Sequence, residues 1–384
     1  MLIKCPSCGL QSDCEPGNYL CKCGTILDVA PDGTATVSAV NRGGKKTMWI
    51  VSAAIAVVVL CGIGAVVFLQ HKQAEEEKAQ AEAEARKQEE FARRIEEDRR
   101  LGFEFVENGR VLVKVPESLT AYDIPDGVIT IADQAFQERK SLRHVTIPSS
   151  VTSIGDSVFS DCRNLTSVTI PSSVTSIGNS AFSNCSSLKE VTIPSSVTSI
   201  GWKAFDACSS LKEVTIPSSV TSIGGGAFSN CSSLKEVTIP SSVTSIGNFA
   251  FSGCSSLTSI TIPSSVTSIG DYAFSGCSSL TSITIPSGVT SIEPDAFSRC
   301  SSLTSVTIPS SVTSIGDWAF YGCGKLTSIT IPSSVTSIGS SAFYDCSSLR
   351  SVTIPSSVTS IGDFAFSGCP CAYQVKRDYP HLYK

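Results

Sequence analysis

Four cysteines near the start of the chain have the type and spacing of metal ligands. They form a C-x₂-C pair and a C-x-C pair, each followed by glycine, and they are Cys5, Cys8, Cys21 and Cys23. Two such pairs suit the tight turns around a tetrahedral Zn²⁺ bound by four thiolates. We therefore predict a zinc-ribbon-like module over residues 1–28. Its zinc is structural, because four thiolates leave no open position for catalysis, and it supplies most of the folding free energy.

Two features leave the ligand set of this module open. The second pair is one residue shorter than the commonest zinc knuckle, and Cys14 is a spare thiol that could replace one ligand. Unpaired or oxidised thiols are the alternative to a zinc site.

A second group of cysteines recurs every 23 residues, from Cys162 to Cys369, and Cys371 falls outside this spacing. Side chains at equivalent points of stacked units point the same way, whereas a disulfide requires two of them to turn toward each other. We expect a column of buried thiols that pack as small apolar side chains.

No group of residues has the spacing of a catalytic site. The three histidines, His71, His144 and His381, are far apart in the sequence, and no carboxylate pair, nucleophile elbow or phosphate-binding loop is present. We therefore expect a protein that is not an enzyme. A net charge of −5 gives no electrostatic reason to expect a nucleic acid partner.

Most of the chain, residues 119–369, repeats one 23-residue unit. Residues 165–187 show this unit as L-T-S-V-T-I-P-S-S-V-T-S-I-G-N-S-A-F-S-N-C-S-S. Proline marks the same point of successive units without an insertion, at positions 125, 148, 171, 194, 217, 240, 263, 286, 309, 332 and 355. A fixed period of this length predicts a repeat solenoid, in which each unit forms one coil and packs its apolar side chains against the next.

The apolar positions within the unit predict the path of each coil. Val168 and Ile170 flank Thr169 at strand period, and Pro171 ends this strand because it cannot donate to a ladder. Gly178 suits a tight turn. The A-F-x-x-C segment that follows has the spacing of a short helical or 3₁₀ turn. We predict a parallel β-sheet along the coils and an apolar interior.

The complete pattern, L-x-x-V-x-I-P-x-x-V-x-x-I-G-x-x-A-F-x-x-C, resembles the BspA-like, or treponemal, class of leucine-rich repeats. The resemblance implies a parallel-sheet solenoid that is displayed on a microbial surface and used in adhesion or protein recognition. It carries over no catalytic residue, because the family has none fixed in the repeat.

Aromatic side chains occupy several positions that vary from coil to coil. These positions follow the turn glycine or the core phenylalanine, and their aromatics are Trp202, Phe249, Tyr272, Trp318, Tyr321, Tyr344 and Phe364. Exposed aromatics on a rigid scaffold are typical hot spots of recognition. We take them as candidate contacts to a protein or glycan ligand on another surface. The alternative is that they fold back over neighbouring coils.

An uncharged stretch of the sequence, residues 48–69, predicts a single transmembrane helix. At about 1.5 Å per residue it is about 33 Å long, which is enough to cross a bilayer. The basic residues on its two sides do not decide its orientation by number. The linker 29–47 contains the tight basic pair Lys45 and Lys46, and a reducing compartment favours zinc thiolates. We predict that the N-terminus is cytoplasmic and that the repeats are extracytoplasmic.

Three further segments flank the repeats. Residues 70–100 predict a charged helical stalk without the apolar seam of a strong coiled coil, so weak self-association is the alternative and the oligomeric state stays open. Residues 101–118 predict an N-terminal hairpin cap with Asn108 and Gly109 at its turn. Residues 370–384 break the period and predict a C-terminal cap.

These features predict a membrane-anchored protein of the cell surface. Its rigid solenoid would mediate protein–protein recognition or adhesion. A structural envelope or spacer protein is one alternative. A contact-sensing protein that signals through the cytoplasmic zinc ribbon is the other.

Overall fold

The computed structural model describes residues 45–382 and five strands before them, with side chains from residue 65 onward. Those strands are Leu2–Lys4, Gln11–Asp13, Gly17–Leu20, Thr25–Val29 and Ala35–Val40. The chain divides into two compact units, Met1–Arg86 and Lys87–Lys384.

The five N-terminal strands form two antiparallel sheets. Leu2–Lys4 pairs with Gln11–Asp13, and Gly17–Leu20 pairs with Thr25–Val29. Ala35–Val40 adds a third strand beside Thr25–Val29. The segment 29–47, predicted as a linker, therefore contains a strand, because A-T-V-S-A-V alternates at strand period.

Helix α1 runs from Lys45 to Arg100 and contains both the predicted membrane span and the predicted stalk. Residues 48–64 of the span lie outside the part of the helix whose side chains are described. Where side chains are described, no helix has an apolar stretch long enough to cross a membrane. Residues 65–90 are exposed along the whole segment.

Each coil contributes two short strands to parallel ladders between coils, except that the coil 257–279 has an isolated parallel bridge between Thr238 and Thr261 in place of the first strand. The first strand surrounds the buried valine or isoleucine of the V-x-I pattern, and its copies are Ala121–Asp123, His144–Thr146, Ser167–Thr169, Glu190–Thr192, Glu213–Thr215, Glu236–Thr238, Ser282–Thr284, Ser305–Thr307, Ser328–Thr330 and Ser351–Thr353. The second strand ends at the isoleucine before the turn glycine, and its copies are Thr130–Ile131, Ser153–Ile154, Ser176–Ile177, Ser199–Ile200, Ser222–Ile223, Ser245–Ile246, Ser268–Ile269, Ser291–Ile292, Ser314–Ile315, Ser337–Ile338 and Ser360–Ile361. The predicted parallel solenoid is confirmed, and the second strand is an addition to it.

The interior is a stack of identical side chains. The repeated leucine, alanine, phenylalanine and cysteine are buried together with the valines and isoleucines, and only Leu119 of the first coil and Val306 are half-buried. The phenylalanine rings from Phe136 to Phe366 stack with centroids 4.9 to 5.6 Å apart between neighbouring coils. No coil can bury this surface alone, so the fold depends on stacking.

The A-F-x-x-C segment is not the helical or 3₁₀ turn that its spacing predicts. Two residues have left-handed backbone angles, one directly before the segment and one within it, as in Ser180 (φ 52°) and Asn184 (φ 59°). Because of these angles, the N–H groups of the segment alternate in direction. One donates to the residue three positions earlier, and the next points toward the neighbouring coil. Ser180, Phe182 and Asn184 therefore donate to carbonyl groups of the next coil at 2.7 to 2.8 Å.

The repeated turn glycine is required for the close approach of two coils and not for a positive φ. A Cβ built on Gly201 would lie 2.7 Å from the carbonyl oxygen of Gly178 on the preceding coil. The first coil has Ala132 in this column, and Glu293 is the exception among the later coils. There the second ladder is interrupted, because Ser268–Ile269 pairs only with the coil before it and Ser291–Ile292 only with the coil after it.

The N-terminal cap consists of a hairpin and of the end of α1, which packs against it. Strands Glu104–Val106 and Val111–Lys114 pair antiparallel around the 3₁₀ turn Glu107–Gly109, which confirms the predicted hairpin. The second of these strands also pairs in parallel with Thr130–Ile131, and so it extends the second ladder.

The last turns of α1 belong to this cap and are not a solvated stalk. Ile95 is buried against Gly109, and Phe91 packs on Gly127. The buried carboxylate of Asp98 accepts a hydrogen bond of 2.5 Å from the hydroxyl of Tyr122. Burial and this hydrogen bond raise the pKa of Tyr122.

The C-terminal cap is helix α2, Ala372–Asp378, followed by the 3₁₀ turn Pro380–Leu382. Val375 and Leu382 are buried against the last coil. Arg139 occupies the cysteine position of the first coil, and its Nε donates to the carbonyl of Val115 at 2.9 Å. Both end coils thus differ from the inner ones where they meet a cap.

The glycine column can be tested by one substitution and a matched control. We expect Gly201→Ala to lower the free energy of unfolding by about 2 kcal/mol, because a Cβ has no room against a neighbouring backbone. Gly324→Ala is the control, since its Cβ would meet only the hydroxyl of Ser347 at 3.3 Å and neither glycine has a positive φ. Urea unfolding of the full-length chain measures both changes. Equal losses for the two variants would contradict the close-approach explanation.

Candidate recognition surface

The seven predicted contact aromatics lie on the turn side of the coils. Six of them are exposed, from 36% for Tyr272 and Tyr344 to 67% for Phe364, and Tyr321 is half-buried. They occupy the position directly before the core alanine, the position after the turn glycine, or the position after the core phenylalanine.

Four of these aromatics occupy a left-handed backbone position. Phe249, Tyr272, Trp318 and Phe364 have φ values of 60°, 57°, 58° and 61°. Bulky residues are rare in this conformation, which costs roughly 1–2 kcal/mol because Cβ approaches the following carbonyl. Glycine fills the same column at position 226 without that cost. The aromatic residues here are therefore unfavourable for the backbone that carries them.

Three aromatics from two neighbouring coils form one cluster, which we call the Trp318 cluster: Trp318, Tyr321 and Tyr344. The ring of Tyr321 stands edge-on to Trp318 with centroids 5.2 Å apart, and Tyr344 lies 6.1 Å from Trp318 and 5.8 Å from Tyr321. The guanidinium of Arg299 lies 5.7 Å from the centre of the Tyr321 ring. The cluster joins apolar faces, two hydroxyl groups and a cation in one exposed patch.

A second pair of aromatics is separate from this cluster. The rings of Phe249 and Tyr272 are parallel, with centroids 4.6 Å apart and an angle of 5° between them. A hydrogen bond to Asp295 raises the pKa of Tyr272. The predicted alternative therefore holds in part, because these rings cover each other while a third or more of each stays exposed.

Trp202 and Phe364 belong to neither aromatic group. Trp202 lies over Gly225 of the next coil, and the ammonium of Lys203 is 4.4 Å from the centre of its ring. Phe364 is the most exposed of the seven and lies on the last coil. Sequence reasoning missed Lys203 and Arg299, although both stand in left-handed columns that vary from coil to coil.

Many exposed hydroxyl groups are part of the scaffold. The hydroxyl of Ser242 donates to the carbonyl of Val220 at 2.6 Å, and that of Thr267 donates to Thr244 at 3.3 Å. Equivalent bonds recur along the coils, so these side chains stabilise the stacking besides facing water.

The repeated cysteines are free, buried thiols. Each donates a hydrogen bond to the carbonyl of the phenylalanine one coil earlier, as Cys254 does to Phe228 at 3.2 Å. Burial raises the pKa of Cys254 and of Cys300 to about 12. Groups that stay protonated and shielded in this way are not nucleophiles.

The predicted zinc ligands Cys5, Cys8, Cys21 and Cys23 lie outside the described residues, as does Cys14. What is described is the pairing of the strands around them. The chain between the paired strands Leu2–Lys4 and Gln11–Asp13 holds the first cysteine pair, and the chain between Gly17–Leu20 and Thr25–Val29 holds the second.

The sequence matches the family described as BspA type leucine rich repeat region (6 copies), over residues 115–235, 200–324 and 267–376. Among solved structures, a leucine rich cell surface protein from Faecalibacterium prausnitzii is 33% identical, with 70% of this chain and 90% of that chain covered and a TM-score of 0.48. A leucine rich repeat protein of T. pallidum is also 33% identical (46% and 86% covered, TM-score 0.43). The pneumococcal vaccine antigen PcpA is 23% identical (68% and 69%, TM-score 0.48). No curated protein matches this chain.

The thiol column predicts that stability falls in alkaline solution. The unfolded thiols lose their protons near about pH 8.5, whereas buried thiols hold theirs to about pH 12. Between these pH values the thiols are protonated in the folded chain and ionised in the unfolded chain. Each buried thiol therefore lowers the free energy of unfolding by up to about 1.4 kcal/mol for each unit by which the pH rises. We expect the urea midpoint to fall steeply above about pH 9.

The double variant Cys231→Ala, Cys254→Ala separates the effect of the thiols from that of other groups that lose protons in alkaline solution, such as tyrosine and lysine. It should reduce the slope of the midpoint against pH. In the folded parent protein, DTNB should react with at most the six cysteines outside the solenoid and its C-terminal cap, because the other eleven of the seventeen are buried. A midpoint that stays constant as the pH rises, or rapid modification of more than six thiols of the folded protein, would show that the repeat thiols are not buried.

Proposed function

Because this chain belongs to the BspA-type leucine-rich repeat proteins, we propose that its solenoid recognises another protein through exposed aromatic side chains. One observation carries the proposal. Phe249, Tyr272, Trp318 and Phe364 occupy a left-handed backbone position where glycine costs less, and a third or more of each side chain remains exposed. A bulky apolar residue that is unfavourable for its backbone and stays exposed is best explained by contact with a partner.

Packing alone does not account for this choice. Gly226, Asp295 and Ser341 stand in the same column, and the core beneath them is equally buried. The aromatic rings are therefore not needed to close the coils. They contribute apolar area to the outer surface, where it is removed from water only when a partner binds.

The Trp318 cluster supplies the strongest anchor. Tryptophan, tyrosine and arginine are the residue types that dominate binding energy at interfaces, and here Trp318, Tyr321, Tyr344 and Arg299 lie together. Their mutual contacts restrict the rings before a partner arrives, which lowers the entropy lost on binding. The backbone beneath them is tied to the next coil by hydrogen bonds such as that from Trp318 to Ser340 at 2.9 Å.

The cluster can be tested by a triple substitution in the full-length chain. We expect Trp318→Ala, Tyr321→Ala, Tyr344→Ala to weaken attachment at least tenfold, because a hot-spot residue contributes about 2 kcal/mol or more. Beads that carry the chain are exposed to a panel of purified cell-surface and matrix proteins, and retention is titrated. The control is Thr284→Ala, Thr307→Ala, Thr330→Ala, which removes exposed side chains from the sheet face of the coils around the cluster.

Unfolding midpoints measured in parallel separate lost binding from lost folding. The aromatic variant should keep a midpoint close to that of the parent, since alanine keeps the Cβ at the left-handed position of Trp318 and the deleted rings lie outside the core. If a partner held by the parent is held equally by the aromatic variant, the surface is not the recognition site. A spacer protein would give that result.

The proposal includes display on a membrane. It is supported by the uncharged stretch 48–69, whose backbone lies within the single helix Lys45–Arg100. The basic pair Lys45 and Lys46 at the start of this helix favours a cytoplasmic N-terminus. In this arrangement the repeats face the outside of the cell, where a recognition surface meets its partner.

Protease treatment of intact cells tests this topology. We expect an epitope tag at the C-terminus to be lost and a tag at the N-terminus to survive, because only the repeats would be outside. Lysed cells, in which both tags become accessible, are the control. Survival of the C-terminal tag on intact cells would place the repeats inside and contradict the display.

We assign structural Zn²⁺ to Cys5, Cys8, Cys21 and Cys23 as part of the same proposal. Each cysteine pair falls between two strands that pair antiparallel, and this is how two knuckles of a zinc ribbon are built. A module of 28 residues is too short for a sufficient hydrophobic core, so bound metal would supply the folding free energy that it lacks.

A further inference from the structure

Three successive coils carry charges at positions where the next four coils carry threonine and serine. The lysines directly precede the first strand of each coil, and the glutamates begin it: Lys189, Lys212 and Lys235, then Glu190, Glu213 and Glu236. We call them the Lys column and the Glu column. All six side chains are exposed, and each lysine directly precedes the glutamate with which the strand begins.

The columns place like charges in register. Glu213 and Glu236 are directly paired across parallel strands, and the N–H of Lys235 donates to the carbonyl of Lys212 at 3.0 Å. Neighbouring strands lie about 4.8 Å apart, and like charges at this spacing oppose the stacking of the coils. The later coils avoid this repulsion with neutral residues such as Thr258 and Ser259.

The two columns do not neutralise each other within the described part of the chain. None of the six side chains has an opposite charge within 4.0 Å. Three positive and three negative charges nevertheless sum to zero, so the face does not favour a partner of one sign. It favours a partner with two columns of opposite charge at the same spacing.

We propose that this partner is a second copy of the chain, docked sheet face to sheet face about a twofold axis that runs along the solenoid between the two columns. Rotation about such an axis exchanges the sides on which the two columns lie. It leaves the direction of the solenoid and the order of the coils unchanged. Each Lys column then faces the Glu column of the other copy, coil against coil. A twofold axis across the solenoid would place lysine against lysine, so the charges specify a parallel dimer.

The side chains around the columns are shorter, and they allow this approach. Thr192, Thr215 and Thr238 stand beside the glutamates on the same face. Lysine and glutamate project further than threonine or serine, so they meet first when two faces approach. Three coils extend only about 14 Å at about 4.8 Å per coil. The dimer is therefore small and sensitive to salt.

Two charge-reversed variants of the full-length chain test the proposal. The all-Glu variant carries Lys189→Glu, Lys212→Glu, Lys235→Glu, and the all-Lys variant carries Glu190→Lys, Glu213→Lys, Glu236→Lys. Sedimentation velocity in a nonionic detergent measures association at about 0.01 M salt, where the Debye length is about 30 Å. We expect the parent to dimerise, each variant alone to associate at least tenfold more weakly, and their equimolar mixture to form a heterodimer.

A third variant separates symmetry from stability. Exchanging the columns, with glutamate at 189, 212 and 235 and lysine at 190, 213 and 236, keeps the composition and the self-complementarity, so it should dimerise as the parent does. Urea midpoints confirm that each variant is folded. A monomeric parent at low salt, or single variants that dimerise as well as the parent, would overturn the proposal. So would a mixture that does not associate, because the columns would then serve another partner.

Discussion

The distance between neighbouring coils is the constraint on which the rest of this structure depends. Parallel strands must lie about 4.8 Å apart for their backbones to share hydrogen bonds, and here backbone hydrogen bonds join neighbouring coils on the strand side and on the turn side. The turn side reaches it because left-handed residues such as Ser180 and Asn184 aim N–H groups at the next coil. An insertion would displace one ladder from the other, which explains the unbroken 23-residue period.

The same spacing determines where variation is tolerated. Inner positions touch their own copies above and below, as the stacked phenylalanines do, so one altered side chain would disturb three coils. Outer positions touch little, and they hold lysine, glycine, aspartate or tryptophan in a single column. The side chains that differ from coil to coil are thus confined to two regions, the sheet face with its charged residues and the turn side with its aromatic residues.

The sequence predicted the features that depend on period and polarity. The buried roles of Phe182 and Cys185 followed from their recurrence, and the first strand followed from the alternation around Thr169. The second strand was missed because Ser176–Ile177 is too short to show a period. The left-handed turns were missed because serine and asparagine occupy many conformations, so neither residue type specifies this one. Gly178 was assigned to a turn, although the need for a small residue comes from a coil 23 positions away.

The aromatic candidates were predictable as variable positions, but their grouping was not. Trp318 and Tyr344 are 26 residues apart in the sequence and meet only because one coil advances by 23. The contact between the end of α1 and the cap could not be predicted either. Asp98 is one of many charged residues in 70–100, and only the fold shows that it bonds to Tyr122. Contacts of this kind depend on the register of the fold, which composition does not reveal.

The interruption at Glu293 gives the array a mechanical property. Pro294 lacks an N–H, and the second ladder stops between Ile269 and Ile292, so fewer bonds hold the coils together at this junction. A tensile load that enters at a bound partner and leaves through the other end of the chain would separate the coils here before anywhere else. The Trp318 cluster lies on one side of this yield point and the charged columns on the other. Separation at this junction would relieve the load, and the coils on its N-terminal side would remain folded.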